Sequence, residues 1–251
     1  MPIEVWAAIV LIAVPIAFNV AFFELGRSFD YPNILRKPPE EVLRRFAAGG
    51  SGLLLRWQAL LLSALGMLPV VALLAVALDT APGFTGLALV LGTAAALVQA
   101  IGLVRWPFAV PELARRYAAA EGPDGAAEQR AIVVEFATLN RLFGVGIGEH
   151  LGYLLTGLWT LVVSTSIFFQ PPMPDGLPWD LPSWIGLVGL PIGIALLVGS
   201  LEFVGPNEPK GWAPASTIVP IAYIAWSLWL VAMGILLLIG SLVAAGRAIG
   251  P

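Results

Sequence analysis

Long apolar runs separated by short polar connectors make up most of this 251-residue chain. Several of the runs reach about 20 residues, which is the length that a helix needs to cross a hydrocarbon core of about 30 Å. Clusters of glycine and proline mark the connectors. The pattern predicts an all-α membrane protein with six transmembrane helices, and the predicted spans are residues 3–25, 53–78, 86–104, 148–169, 184–204 and 217–245.

The composition agrees with this class of protein. Hydrophobic residues make up 59% and charged residues 12% of the chain, and the mean hydropathy is +0.89, whereas soluble domains carry about 25% charged residues. We expect a single integral membrane domain over residues 1–251. We also expect the first span to be retained rather than cleaved as a signal peptide, because Glu4 lies near its start and no basic residue precedes it.

The basic residues are segregated along the chain. Twelve of the thirteen lysines and arginines lie in or beside the connectors that follow spans one, three and five. The two connectors on the other side carry Asp79, Asp175 and Asp180 and no basic residue. The positive-inside rule then places the three basic connectors in the cytoplasm and both termini outside.

The first two basic connectors resemble each other. Residues 39–48 and 111–119 each begin with Pro-Glu and continue to Arg-Arg, an aromatic residue and two alanines. Each segment predicts an amphipathic helix at the cytoplasmic interface, with its arginines at the lipid head groups. The side chains that we expect to face the acyl boundary in the first helix are Val42, Leu43 and Phe46. The similarity indicates either two independent basic helices or a duplicated unit of span, interfacial helix and span.

The polar residues inside the predicted spans cluster at one depth. Each lies within about two turns of a cytoplasmic boundary, so that the set falls in a slab roughly 10 Å thick. Ionisable residues at such a depth are costly unless they are paired or functional. We predict a polar pocket open to the cytoplasm, and its candidate residues are Glu24, Gln58, Gln99, Arg105, Glu149, His150, Tyr153 and Glu202. Mutual pairing of these side chains, without any ligand, is the alternative.

His150 is the only histidine, and it opens the fourth span beside Glu149. In a regular helix Glu149 and Tyr153 are i,i+4 neighbours on one face, whereas His150 is next to Glu149 in the chain. One helix face therefore cannot hold the side chains of Glu149, His150 and Tyr153 together. Glycines before the pair permit close approach of another helix or a ligand. These glycines are Gly144, Gly146 and Gly148.

Several kinds of chemistry are disfavoured by the sequence. The absence of cysteine excludes disulfides, thiolate metal sites and cysteine nucleophiles. A retinal Schiff base needs a lysine inside a span, but both lysines lie in connectors, and one histidine cannot supply bis-histidine haem ligation. No nucleotide-binding motif is present, and the basic connectors act as topology determinants without implying nucleic-acid binding. We assign no cofactor and no catalytic residue, and leave a metal ion open.

Residues 49–52 read Gly-Gly-Ser-Gly, which matches the Gly-x-Ser-Gly of rhomboid-type intramembrane serine proteases. The serine precedes the second span instead of lying inside a later one, and His150 lacks the expected flanking pattern. A glycine-rich start of a helix is therefore the favoured interpretation.

Four stretches carry a resemblance to a known family: FDYPNILR at 29–36, GLVRWPF at 102–108, GEHLGY at 148–153 and GSLEF at 199–203. Together they resemble a domain-of-unknown-function family of bacterial integral membrane proteins, over about residues 15 to 240. The resemblance implies a multi-pass protein of the bacterial plasma (inner) membrane. It implies no established activity and no catalytic residues.

Three functions are compatible with these patterns. The leading hypothesis is a non-enzymatic protein that binds or passes a small ligand or ion at the polar pocket, with the lipid bilayer as its surroundings. The second is an accessory or assembly subunit of a larger membrane complex, in which other membrane subunits are partners. The third is an intramembrane hydrolase that uses Glu149 and His150.

Overall fold

The computed structural model describes residues 2–78, 81–120, 122, 125–170, 181–208 and 210–249. The acidic connector residues Asp79, Asp175 and Asp180 lie outside the described residues. Within the described residues the chain is helical and contains no β-strand, which confirms the all-α class. Helices follow the apolar runs because a helix satisfies its backbone N–H and C=O groups internally, as an apolar environment requires.

The helices alternate between long apolar rods and shorter connecting elements. Among the described residues the α-helices are α1 (Ile3–Phe29), α2 (Pro39–Leu65), α3 (Met67–Ala77), α4 (Pro82–Phe108), α5 (Val110–Ala119), α6 (Gly125–Leu139), α7 (Gly152–Phe168), α8 (Ser183–Gly199) and α9 (Ala213–Ile249). A π-helix, Asn140–Leu151, joins α6 to α7, and short 3₁₀ turns lie at Asn33–Arg36 and Gly205–Asn207.

Five helical stretches in the described part of the chain are long and apolar enough to cross a membrane. They are Ile3–Phe29, Pro39–Ala77, Pro82–Ala119, Gly125–Phe168 and Ala213–Gly246. Helix α8 is also apolar, but its 17 residues rise only about 25 Å at 1.5 Å per residue. The finding agrees with a multi-pass membrane protein, while the count of six spans stays a prediction.

Large apolar side chains are exposed along these helices. Phe23 in α1 is 62% exposed, Leu55 in α2 is 68% exposed and Leu228 in α9 is 65% exposed. Water-soluble proteins seldom present broad apolar surface of this kind. The exposure of these side chains is consistent with a membrane protein.

The chain divides into two compact units, and unit 1 comprises Met1–Ile16, Gly66–Leu97 and His150–Pro251. In unit 1 helix α8 packs against both α7 and α9. Facing glycines allow the approach of α7 and α8, since a Cβ built on Gly157 would lie 2.9 Å from the carbonyl oxygen of Gly193. Small residues at such positions are typical of helix packing in membranes.

Unit 2 comprises Ala17–Leu65 and Val98–Glu149. In it α2 packs against α5 and α6, around a core rich in aromatic rings. Phe29 lies at the centre, with its ring centroid 5.8 Å from those of Phe46 and Trp106, and these pairs meet edge to face. Edge-to-face contacts of this kind add to the stabilisation that comes from burying the rings.

Helix α2 is interrupted at Gly50, whose φ of 56° and ψ of −159° are not helical. Only glycine adopts this combination readily, so that Gly50 separates residues 39–49 from residues 51–65. The glycine-rich sequence is thus a break between two helical segments.

The apolar side of residues 39–49 lies inside unit 2. Val42, Leu43 and Phe46 are at most 5% exposed, because α2 packs against α5 and α6. We expected these three side chains to face the acyl boundary, and in the structure protein covers them instead. An amphipathic pattern identifies a buried face but not the material that covers it. The interfacial position of this segment stays a prediction.

Candidate functional site

The fourth predicted span begins in an irregular helix. Asn140–Leu151 is a π-helix of twelve residues, in which each N–H bonds the carbonyl oxygen five residues earlier. Residues five apart therefore share a face, which aligns Gly144 with Glu149. The regular α-helical spacing that we expected around Glu149 does not apply within this segment. Even single π turns are uncommon and frequently mark functional sites.

The π-helix and α4 approach closely at two glycines of unit 2. A Cβ built on Gly102 would lie 2.6 Å from the Cα of Gly148 and 2.9 Å from the carbonyl oxygen of Phe143. These distances are shorter than any real Cβ contact. The two backbones can therefore meet here only because Gly102 carries no side chain.

Arg105, one turn after Gly102, is buried in this contact. Its side chain is 7% exposed, Nη1 donates a hydrogen bond to the carbonyl oxygen of Gly102, and Nη2 donates to Oδ1 of Asn140 at 3.0 Å. Gly144 provides the space for the guanidinium, because a Cβ at that position would lie 2.5 Å from Nη2. The π-helix thus supplies both a hydrogen-bond acceptor and the room for a buried cation.

Tyr31 lies in the turn between α1 and α2, and its phenol interacts electrostatically with Glu149 and Arg105. Burial raises the pKa of Tyr31 from 10.0 to about 12, the carboxylate of Glu149 adds to the rise, and the positive charge of Arg105 opposes it. Two of the predicted candidates, Arg105 and Glu149, therefore act on the same phenol. The sequence-based candidates did not include Tyr31, although it stands in one of the four quoted stretches.

Two tryptophans lie next to Arg105. The rings of Trp57 and Trp106 stack with centroids 4.3 Å apart and planes inclined by 6°, and both side chains are fully buried. The guanidinium carbon of Arg105 lies 5.1 Å from the centroid of Trp106. We call Trp57, Trp106 and Arg105 the donor cluster.

The donor cluster contains buried N–H groups that no described residue accepts. They are Nε1 of Trp57, Nε1 of Trp106 and Nε of Arg105. Two tryptophans of unit 1 differ, since Nε1 of Trp226 donates to Oγ1 of Thr160 and Nε1 of Trp229 donates to the carbonyl oxygen of Ile185, both at 2.9 Å. Buried polar groups in proteins are normally hydrogen-bonded, so three unaccepted donors on neighbouring side chains are an exception that needs a physical explanation.

The other candidates of unit 2 lie in more ordinary surroundings. Glu24 is half-exposed and forms ion pairs with Arg27 at 3.8 Å and Arg56 at 3.7 Å. Gln58 and Gln99 are half-buried. The contacts of Glu24 are those of a surface pair, which contributes little to stability.

The remaining candidates belong to unit 1. Nδ1 of His150 lies 2.7 Å from the carbonyl oxygen of Ser200, and since a carbonyl only accepts, Nδ1 donates this hydrogen bond. Glu202 is buried at 8% exposure. Tyr153 packs edge to face on Tyr223, with centroids 5.5 Å apart.

The eight predicted candidates are thus divided between the two units. Glu24, Gln58, Gln99, Arg105 and Glu149 belong to unit 2, and His150, Tyr153 and Glu202 belong to unit 1. Within the described residues no group of three or more histidines and carboxylates is placed to hold a metal ion. The single pocket that would join all eight stays a prediction.

The fold and these surroundings define a class of protein: an all-helical chain, consistent with a multi-pass membrane protein, that buries an arginine between an apolar helix and a π-helix. The chain belongs to the DUF4386 family, a domain of unknown function, whose family model matches residues 6–234. This match confirms the resemblance to a domain-of-unknown-function family. Comparisons with curated proteins and with solved structures found no match.

Proposed function

We propose that this protein is a six-span protein of the bacterial plasma membrane that binds or passes a small ligand or ion at the polar cluster around Arg105. In this topology α8 and the turn after it form the fifth of the six spans, both termini lie outside, and the basic connectors are cytoplasmic. The segregation of twelve of thirteen basic residues supports this orientation.

The observation that carries the proposal is the burial of Arg105. A guanidinium near the end of a helix as apolar as α4 is expensive, and arginine remains charged at any physiological pH. An apolar residue, which costs less free energy to bury, would suffice if the side chain at this position had only to fill space. The cluster also gathers a phenol and a carboxylate, so that it can bind a group of either charge.

The surroundings of Arg105 support a site more than a simple structural pair. Asn140 and the carbonyl oxygen of Gly102 accept hydrogen bonds from two guanidinium nitrogens, and Nε donates to no described residue. One donor of the guanidinium is therefore left for a ligand.

The proposal is tested by thermal unfolding of the purified protein in nanodiscs against a panel of small ions and metabolites. We expect at least one compound to raise the midpoint of the wild-type protein and to have no effect on Arg105→Lys, which keeps the charge but loses the fork geometry. Arg116→Lys is the matched control, because Arg116 pairs with Glu135 at the surface and should respond like the wild type. The proposal would be overturned if no compound raised the midpoint of the wild-type protein, or if a compound raised the midpoints of Arg105→Lys and Arg116→Lys equally.

A further inference from the structure

The donor cluster consists of groups that can only donate hydrogen bonds. An indole N–H and a guanidinium have no acceptor, and a buried donor left without a partner costs roughly as much as a lost hydrogen bond. Here three such donors belong to side chains that are at most 7% exposed. Their common requirement is an acceptor that the described part of the chain does not supply.

From these donors, and on the basis of the proposed function, we infer that the ligand of the cluster is a small anion of a few atoms, such as a halide or a formate-like carboxylate. The rings of Trp57 and Trp106 stack, and the guanidinium of Arg105 lies over the ring of Trp106, so that the three unaccepted donors belong to side chains in mutual contact and one of them is positively charged. Hydrogen bonds to an anion are about twice as strong as those to a neutral acceptor. Because the rings of Phe29, Phe46 and Phe136 pack against Trp106, we expect only a ligand of small size to fit beside it.

Glu149 sets the strength of this site. Its carboxylate acts on the same phenol as Arg105, so that it repels an anion bound at the donor cluster. Neutralising it should tighten the binding of an anion, whereas it should weaken the binding of a cation. The sign of the Glu149→Gln effect therefore distinguishes the two kinds of ligand.

The experiment titrates the purified protein in nanodiscs with chloride, bromide and formate at constant ionic strength, with gluconate as the balancing anion. Binding is followed by tryptophan fluorescence and by the thermal midpoint. We expect saturable binding of at least one probe, an affinity about tenfold or more weaker in Trp57→Phe and Trp106→Phe because each loses a hydrogen bond to a charged group, and tighter binding in Glu149→Gln. Trp226→Phe is the control and should bind as the wild type does.

The opposite results would overturn the inference. If none of the three anions binds saturably, water alone accepts hydrogen bonds from the donors. If Trp57→Phe, Trp106→Phe and Trp226→Phe bind an anion with equal affinity, the anion binds elsewhere. If either tryptophan variant fails to fold, the Glu149→Gln titration decides the matter. Two results together would show that the ligand is a cation: weaker binding in Glu149→Gln, and stabilisation by a cation that is lost in Arg105→Lys. They would overturn the inference of an anionic ligand but leave the proposed function intact.

Discussion

The contact between α4 and the π-helix gives the sharpest prediction. In Gly102→Ala the new methyl group would lie 2.6 Å from the Cα of Gly148 and 2.9 Å from the carbonyl oxygen of Phe143. Both atoms belong to backbone, which cannot rotate away as a side chain can, so the two helices must separate. Forcing a methyl group into a well-packed contact costs about 1–3 kcal/mol. Using the relation for domains of this size, the thermal midpoint should fall by roughly 2–12 °C.

Gly146→Ala is the matched control within the same π-helix. A Cβ at Gly146 would meet only the carbonyl oxygen of Arg141, at 3.6 Å, which is an ordinary van der Waals contact. Thermal unfolding in nanodiscs, followed by tryptophan fluorescence, should therefore show a clear loss for Gly102→Ala and little change for Gly146→Ala. Equal midpoints for the two variants would refute the close backbone contact.

Three further variants test other parts of the fold. Gly50→Ala forces a side chain into a backbone region that glycine alone favours, at a cost of about 1–3 kcal/mol, whereas Gly86→Ala, in open space on α4, should leave the unfolding midpoint unchanged or higher. The neutral form of Tyr31 is favoured in the folded protein, so this stabilisation is complete below pH 10 and is lost as pH rises through about 12; a tyrosinate absorbance titration should lose the step near pH 12 in Tyr31→Phe. His150→Phe removes the donor to the Ser200 carbonyl and should destabilise by about 1–3 kcal/mol, whereas His150→Asn should recover part of that loss in the same unfolding assay.

The apolar runs predicted most of the helices, because the length and hydropathy of a run are properties of neighbouring residues. Observed α1 and α9 contain the predicted spans 3–25 and 217–245. The glycine-rich stretch at 49–52, predicted to be the start of a helix, lies within α2 at the break at Gly50. These features depend on local backbone chemistry, which the sequence contains in full.

The donor cluster could not be predicted in this way. Trp57 and Trp106 stand 49 positions apart in the sequence, and Asn140 accepts from Arg105 across 35 positions. Polar residues at one depth indicated Arg105 and Glu149 as candidates, but depth alone says nothing about which side chains meet. Tyr31 was missed because a tyrosine in a connector carries no signal of burial.

The sequence by itself determined that this chain is helical and apolar and that its basic residues are segregated, since each of these properties follows from the composition and order of neighbouring residues. Only the tertiary structure decided that Val42, Leu43 and Phe46 are covered by protein, and that the helix before Glu149 is a π-helix. The physical reason is that hydrogen-bond register and burial depend on what packs against a segment. Gly144 and Gly148 permit the close approach of α4, but the sequence alone does not show that α4 is the helix that packs there.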